Sequence, residues 1–412
     1  MLYLCVLLGA ALVLLSLPLV AELGVFTLAS LLPKRPHEPS TAGEGLKLAV
    51  IIPAHNEEAL IASCVGSLRA SSAGDNTRII VVAHNCSDRT AARAAEAGAE
   101  ILVCNDPLAK GKGSALAAGF GHTTVQGMDV TLVVDADSTV SSNLIGEVRR
   151  AMSRGADAVQ CRYEMDSSAK RPATRLTALA FRGFNVVRPT GRARLGLSAG
   201  IVGNGFAVRQ TLLAGNTYNS HSVVEDLEFH LRLVLVGKKV QFLEDAKVSS
   251  ALPSSSQGEA TQRSRWEGGR ANAARIWILP LLQQLVRGRI RMLEPVLDLM
   301  SLPIGYAVFL LLAGLCLPLV WVRVYALAAL TVIGCHVLVA AWSGEDFAGD
   351  MRILARAPGY ILWKLAMLPA LLRSSRREAA WVRTERDVAT PAVSLETAGS
   401  LVPSPVIEQT LQ

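Results

Sequence analysis

Two carboxylates one residue apart, Asp135 and Asp137, close an apolar run at residues 130–137, Val-Thr-Leu-Val-Val-Asp-Ala-Asp. β-Branched residues dominate 130–134, the composition of a strand covered on both faces, and open α/β sheets bind ligands beyond the carboxyl ends of such strands. Side chains two apart on extended backbone point the same way. Both carboxylates can therefore reach one divalent cation, and hard oxygen ligands suit Mg2+ or Mn2+. A turn carrying two solvated aspartates is the plain alternative.

Other residue groups fit chemistry on a phosphate-bearing ligand. Lys110-Gly111-Lys112-Gly113-Ser114 is a basic turn able to lay backbone amides and ammonium groups along a diphosphate, although it lacks the P-loop spacing. Residues 198–205, Ser-Ala-Gly-Ile-Val-Gly-Asn-Gly, let backbone approach a ligand, or simply form a tight turn. Glu225 and Asp226 stand at the start of a helix whose apolar residues Leu227, Leu231, Val234 and Leu235 share a face and which stops at Gly237. Acids at that position also serve as caps. On a helix, Gln262, Arg265 and Trp266 fall at i, i+3 and i+4, so an amide, a guanidinium and an indole share one face. The indole can stack on a sugar ring and the guanidinium can pair with phosphate. An amphipathic helix lying on a membrane would read similarly. His55, His84 and His122 lack metal-ligand spacing, and seven scattered cysteines without Cys-x-x-Cys read as reduced thiols.

The elements that must position these groups alternate. A strand over 46–52 stops at Pro53, and a helix follows from Ala54 to about Ala70. A strand at 78–82 leads through His84 into an alanine-rich helix ending near Gly98. Then come a strand at 100–103, a short helix to Phe120, the strand with the aspartates, and a strand at 156–162. This order predicts an α/β domain built on a doubly wound, mostly parallel sheet.

Composition adds a membrane. Of 412 residues, 51% are hydrophobic, too many for an ordinary soluble enzyme. Residues 1–32 read as a retained anchor, nearly all apolar but broken by Glu22. A linker at 33–45 opens with Lys34, Arg35 and His37, which sets the following domain, 46–275, on the cytoplasmic side of an inner membrane. Residues 276–300 read as interfacial helices, 302–342 as a transmembrane hairpin turning at Arg323, 352–386 as an interfacial helix with a basic segment at Arg373, Arg376 and Arg377, and 387–412 as a disordered tail. The net charge of +7 concentrates partly at residues 170–194 and suits anionic lipid headgroups or a phosphate-bearing substrate. No recognition-helix or stacking-platform signature accompanies it, so no nucleic acid partner is expected.

Taken in order, Val50-Ile51-Ile52-Pro53-Ala54-His55-Asn56-Glu57, Asp135-Ala136-Asp137, Glu225-Asp226 and Gln262-x-x-Arg265-Trp266 resemble a membrane-bound family 2 glycosyltransferase. The last motif is similar to that of cellulose, chitin and hyaluronan synthases, and it also occurs in enzymes that add one sugar to a lipid. The resemblance implies a GT-A fold, a nucleoside-diphosphate sugar donor, a divalent metal and inversion at the anomeric carbon. By that resemblance Asp137 binds the metal, and Asp135 binds the nucleotide or the metal's surroundings. Pro53, Glu57 and Lys112 lie near the nucleotide or diphosphate, and Arg265 faces the leaving diphosphate. Asp226 is the general base. Gly203, Asn204, Gly205, Glu225, Gln262 and Trp266 serve the acceptor. The family's usual acidic contact to the base is replaced by His84, which can still hydrogen-bond but loosens the expectation of a UDP-sugar.

The expected function is extension of a polysaccharide at the cytoplasmic face, with an export or accessory subunit as a possible partner. Three apolar stretches are few for a synthase that forms its own channel, so transfer of a single sugar to a lipid-linked acceptor is the alternative. A non-catalytic sugar-nucleotide binder is the alternative from another class, and Asp226 with Gln-x-x-Arg-Trp argues against it.

Overall fold

A computed structural model describes residues 2–34, 45–72, 76–108, 111–166, 172–214, 218, 224–251 and 256–366. Most of the linker, Lys110, the basic segment at 373–377 and the tail at 387–412 lie outside the described residues. Eight strands form one sheet: β1 (Leu48–Ala54), β2 (Thr77–His84), β3 (Glu100–Cys104), β4 (Val130–Val133), β5 (Ser138–Val140), β6 (Ala158–Met165), β7 (Phe206–Arg209) and β8 (Val240–Ser250). The spatial order is β3-β2-β1-β4-β7-β6-β8-β5. The β3-β2-β1-β4 half is all parallel, β7 runs antiparallel to both neighbours, β6 pairs β8 in parallel, and β5 closes the far edge antiparallel to β8.

The alternation of β1 shows why the sheet is buried on both sides. Val50 and Ile52 join one core, Ala49 and Ile51 the other, and all four are fully buried. The helices are α1 (Leu2–Ser30), α2 (Ile61–Ser71), α3 (Thr90–Glu96), α4 (Lys112–Val125), α5 (Leu144–Ser153), α6 (Pro172–Arg182), α7 (Arg188–Arg194), α8 (Gln210–Ala214), α9 (Glu225–Leu235), α10 (Ser256–Val286), α11 (Leu293–Met300), α12 (Ile304–Leu315), α13 (Val320–Trp342), α14 (Phe347–Leu354) and α15 (Ala357–Ala366). Helices α2 and α5 cover the first core, α4 and α9 the second. A π-helical turn, Gly183–Val187, joins α6 to α7.

Several boundaries differ from the sequence expectation. β1 continues through Pro53, which is possible because pairing with β4 ends at Ile51, so no ladder on that side needs the missing N–H. Helix α2 begins at Ile61 rather than after Ala54, since Asn56 takes a left-handed φ of 56° that no helix accepts. Strand β8 went unforeseen. The apolar stretch at 276–285 is the continuation of α10 rather than a separate helix. The turn before α13 falls at 316–319, ahead of Arg323.

Among the described residues two helices, α1 and α13, are long and apolar enough to cross a membrane. The segment Ile290–Met300 meets Ile304–Leu315 at a 79° bend, which makes a third span only if the bent pair is counted as one. Four described arginines of the basic stretch, Arg175, Arg182, Arg188 and Arg192, pair with acids of other helices in the chain. Arg188 and Arg192 are buried against Glu22 of α1 and Asp298 of α11, with Arg188 Nη2 2.6 Å from Glu22 and Arg192 Nε 2.6 Å from Glu294. Arg182 lies 2.6 Å from Asp350 of α14, and Arg175 pairs with Asp346 and Asp350. Sequence displays charge but not its partner, and burial obliges a guanidinium to find one. Helices α1 and α7 touch backbone to backbone: a Cβ at Gly191 would lie 2.1 Å from the Phe26 carbonyl oxygen.

Candidate active site

The carboxyl end of β4 opens on a cavity of about 920 Å3, bordered by Lys112, Asp135, Asp137, Gly203, Glu225 and Asp226. Asp135 and Asp137 follow β4 directly. Their stretch is held by Asn204, whose Oδ1 accepts from the Asp135 N–H at 3.0 Å and whose Nδ2 donates to Ser138 at 2.9 Å. Asn204 is 1% exposed and does not border the cavity. It positions the aspartates instead of meeting an acceptor, and Gly205 likewise packs against Val248. Gly203 does border the cavity. At its φ of 78° the backbone passes so close to Asp226 that a Cβ would lie 2.8 Å from Oδ2.

The Lys112 ammonium, at the first turn of α4, pairs with Asp135 and donates to the Gly203 carbonyl. Burial works against its charge, but Asp135, Glu225 and Asp226 outweigh burial and hold its pKa above the ordinary lysine value. The two acids at the start of α9 both have raised pKa values. Burial first, then the neighbouring Asp226 charge, pushes Glu225 up to about 7. Asp226 is raised as well, chiefly by burial, although its Oδ1 accepts the Leu227 N–H at 2.8 Å. Asp226 is thus a cap and a cavity-facing carboxylate at once.

Gln262, Arg265 and Trp266 all border the cavity from α10, as their spacing requires. Gln262 is buried, whereas Trp266 is 37% exposed and packs beside Phe181 with ring centres 6.1 Å apart. Pro53 and His84, in the last residues of β1 and β2, and Glu57, on the turn beyond β1, do not border that cavity. The two turns are tied together: the Glu57 N–H donates to Thr90 Oγ1 at 2.7 Å, and His55 Nδ1 lies 2.9 Å from the His84 carbonyl. His84 is buried, and burial followed by the nearby His55 lowers its pKa, so it is a neutral hydrogen-bonding group at pH 7.

Asp135 and Asp137 form a hard-oxygen donor set facing a cavity. Among the described residues no third acid joins them within ligand distance, which fits a cation that keeps positions for phosphate oxygens and water. Three acids do cluster elsewhere, Glu22, Glu294 and Asp298, but Arg188, Arg192 and Arg270 already neutralise them. Sequence reading missed that network, although acids inside apolar stretches were its signal.

The family model described as Glycosyltransferase like family 2 matches residues 46–269, more than half of the chain. The chain belongs to glycosyltransferase family 2. This glycosyltransferase is 29% identical over 233 residues to "Probable glycosyltransferase YdaM" of Bacillus subtilis, an alignment covering 54% of this chain and 55% of that protein. It is 28% identical over 174 residues to glucomannan 4-beta-mannosyltransferase 7 of Arabidopsis thaliana, covering 40% of this chain and 30% of that one. The matched region thus spans about half or less of these relatives' length. Among solved structures, a mannosyltransferase from Pyrobaculum calidifontis, in complex with GDP-Man and Mn2+, shares the fold with a TM-score of 0.53 at 17% identity, over 89% of this chain and 97% of that one. The fold of this family 2 glycosyltransferase is GT-A, as expected from its motifs.

Proposed function

We propose that this glycosyltransferase moves a sugar from a nucleoside-diphosphate donor to a hydroxyl of a lipid-borne acceptor at the cytoplasmic face of an inner membrane, with inversion at the anomeric carbon. The observation that carries the acceptor reading is the course of the cavity. From the carboxylates and Trp266 it continues between the apolar helices, where Leu19, Leu23, Val308 and Ile333 line it. A purely water-soluble acceptor has no use for that wall.

In this reading Asp226 takes the proton of the acceptor hydroxyl as its oxygen bonds to the anomeric carbon and the bond to the diphosphate breaks. Its raised pKa suits it to that task. Lys112 and Arg265 stabilise charge on the departing diphosphate. Asp135 and Asp137 would hold Mg2+ or Mn2+, which supplies further positive charge there when bound. Pro53, Glu57 and His84 face the nucleotide, and His84 offers a neutral hydrogen-bonding edge to its base. Polysaccharide extension is the second reading, favoured by the exposed Trp266 face on which a sugar ring can stack.

Purified protein in vesicles, given a panel of labelled nucleotide sugars, tests both readings. A single-sugar, solvent-extractable lipid product is the expected result; long water-soluble chains would establish the second reading. The sidedness has its own check. Compared with the parent chain, whose Cys316 and Cys335 are exposed, a Gln126→Cys variant at the exposed end of α4 should gain labelling by impermeant thiol reagents only from the cytoplasmic side, and a gain from outside overturns the orientation.

A further inference from the structure

The inner end of the cavity carries polar groups that the transfer chemistry leaves unused. His336 of α13 is 1% exposed, and its Nδ1 lies 2.8 Å from Thr27 Oγ1 on α1, while its Nε2 has no hydrogen-bond partner among the described residues. Asn185, in the π-helical turn, is 4% exposed and leaves Oδ1 unpartnered. Both residues border the cavity, as does Gly183 of the same turn. A Cβ at Gly183 would stand 2.8 Å from His336 Nε2, so glycine is what leaves this buried nitrogen room for a partner. π-Helical turns are rare and concentrate at functional sites. Two orphaned polar atoms on a shared cavity wall are groups that await a ligand.

Charge and hydrogen-bond direction narrow the ligand. With the Thr27 hydroxyl donating to Nδ1, the imidazole presents an N–H at Nε2, and Asn185 Oδ1 presents an acceptor. A hydroxyl satisfies both. A phosphate is a poor fit, because the guanidiniums of Arg188, Arg192 and Arg270 beside this wall are already balanced by Glu22, Glu294 and Asp298. Another anion would meet three carboxylates whose guanidinium partners are already engaged with them. We propose that His336 and Asn185 form a subsite for a neutral, hydroxyl-bearing headgroup, the glycerol or first sugar of the lipid acceptor, whose chains continue along Leu19, Leu23, Val308 and Ile333. This rests on the lipid-acceptor reading above.

The test uses the full chain in phosphatidylcholine vesicles with dioleoylglycerol, its monoglucosyl derivative or a polyprenyl phosphate as acceptor. His336→Phe and Asn185→Leu should each raise the KM for the neutral lipids about tenfold, the size of one lost hydrogen bond. The KM for the nucleotide sugar reports whether the rest of the site is intact. His336→Gln, which restores an N–H donor, should recover part of the acceptor affinity, a rescue that a merely structural histidine would not show. Unchanged acceptor KM in both variants, or a polyprenyl phosphate used better than either neutral lipid, overturns the subsite while leaving the lipid reading in place. Transfer to soluble saccharides alone overturns both.

Discussion

Two clusters of buried charge stand at opposite ends of one cavity, and they are built on different terms. At the membrane end three arginines meet three carboxylates, and the charges cancel. At the sheet end a single ammonium, Lys112, faces Asp135, Glu225 and Asp226. The difference teaches which cluster holds the fold and which does chemistry. A cluster of three cations and three anions needs no further charge, whereas three carboxylates around one ammonium leave room for an added proton or cation.

The sharpest way to break this comparison is Asp226→Asn. Asparagine caps a helix about as well as aspartate, so loss of a cap costs at most a few tenths of a kcal/mol. Loss of the base should lower transfer by roughly 10²- to 10⁴-fold with nucleotide affinity near wild type. Transfer within a few-fold of wild type would return Asp226 to capping alone. Asp137→Asn should lower metal-dependent turnover by roughly 10³-fold in a protein that still folds and inserts, and normal activity with Mg2+ or Mn2+ would remove Asp137 from the metal site.

The balanced cluster should answer in stability rather than rate. Glu22→Gln leaves buried guanidiniums short of a partner and should cost about 3–5 kcal/mol, read as faster thermal inactivation in detergent. A variant as stable as wild type would show that the cluster does not fasten α1.

The smallest effect separates the two clusters by pH. Asp226 must be ionised to take the proton, and its raised pKa places the rise of activity with pH above the ordinary aspartate range. Glu225→Gln removes the carboxyl that burial and the Asp226 charge push up to about 7, so any part of the activity profile that follows Glu225 near that pH should disappear. The sign for stability is opposite to the usual acid. A carboxyl raised from 4.5 to about 7 favours the folded state only while protonated, and that contribution fades as pH climbs from 4.5 through 7. Glu225→Gln should therefore melt later than wild type above pH 7 and no later below pH 4.5. Identical pH profiles would detach Glu225 from the reaction.

Much of the sheet was legible because β1, β2, β3 and β4 are apolar runs ending in turn residues, and the aspartates follow β4 where such sheets bind ligands. Strand β8 was not, since Glu244, Asp245 and Lys247 interrupt its apolar residues and Gly237 looked like a stop. Asn204 was taken for an acceptor contact because small residues surround it; only three dimensions show its amide bracing Asp135. The arginines of 175–192 were taken for surface charge because their acidic partners lie in helices more than a hundred residues away in sequence. Glu22 was the clue, an acid with no reason to sit in a lipid-facing helix unless something buried answers it.

The close crossing at Gly191 and Phe26 has a practical consequence for anyone handling this enzyme. Trimming away the first helix to obtain a water-soluble catalytic fragment would strip Arg188 and Arg192 of Glu22 and uncover a face shaped to a neighbouring main chain. The leading helix behaves less like a tether than like a prosthetic part. Preparations that keep it, in detergent or lipid, are the ones in which kinetics will describe the native catalyst.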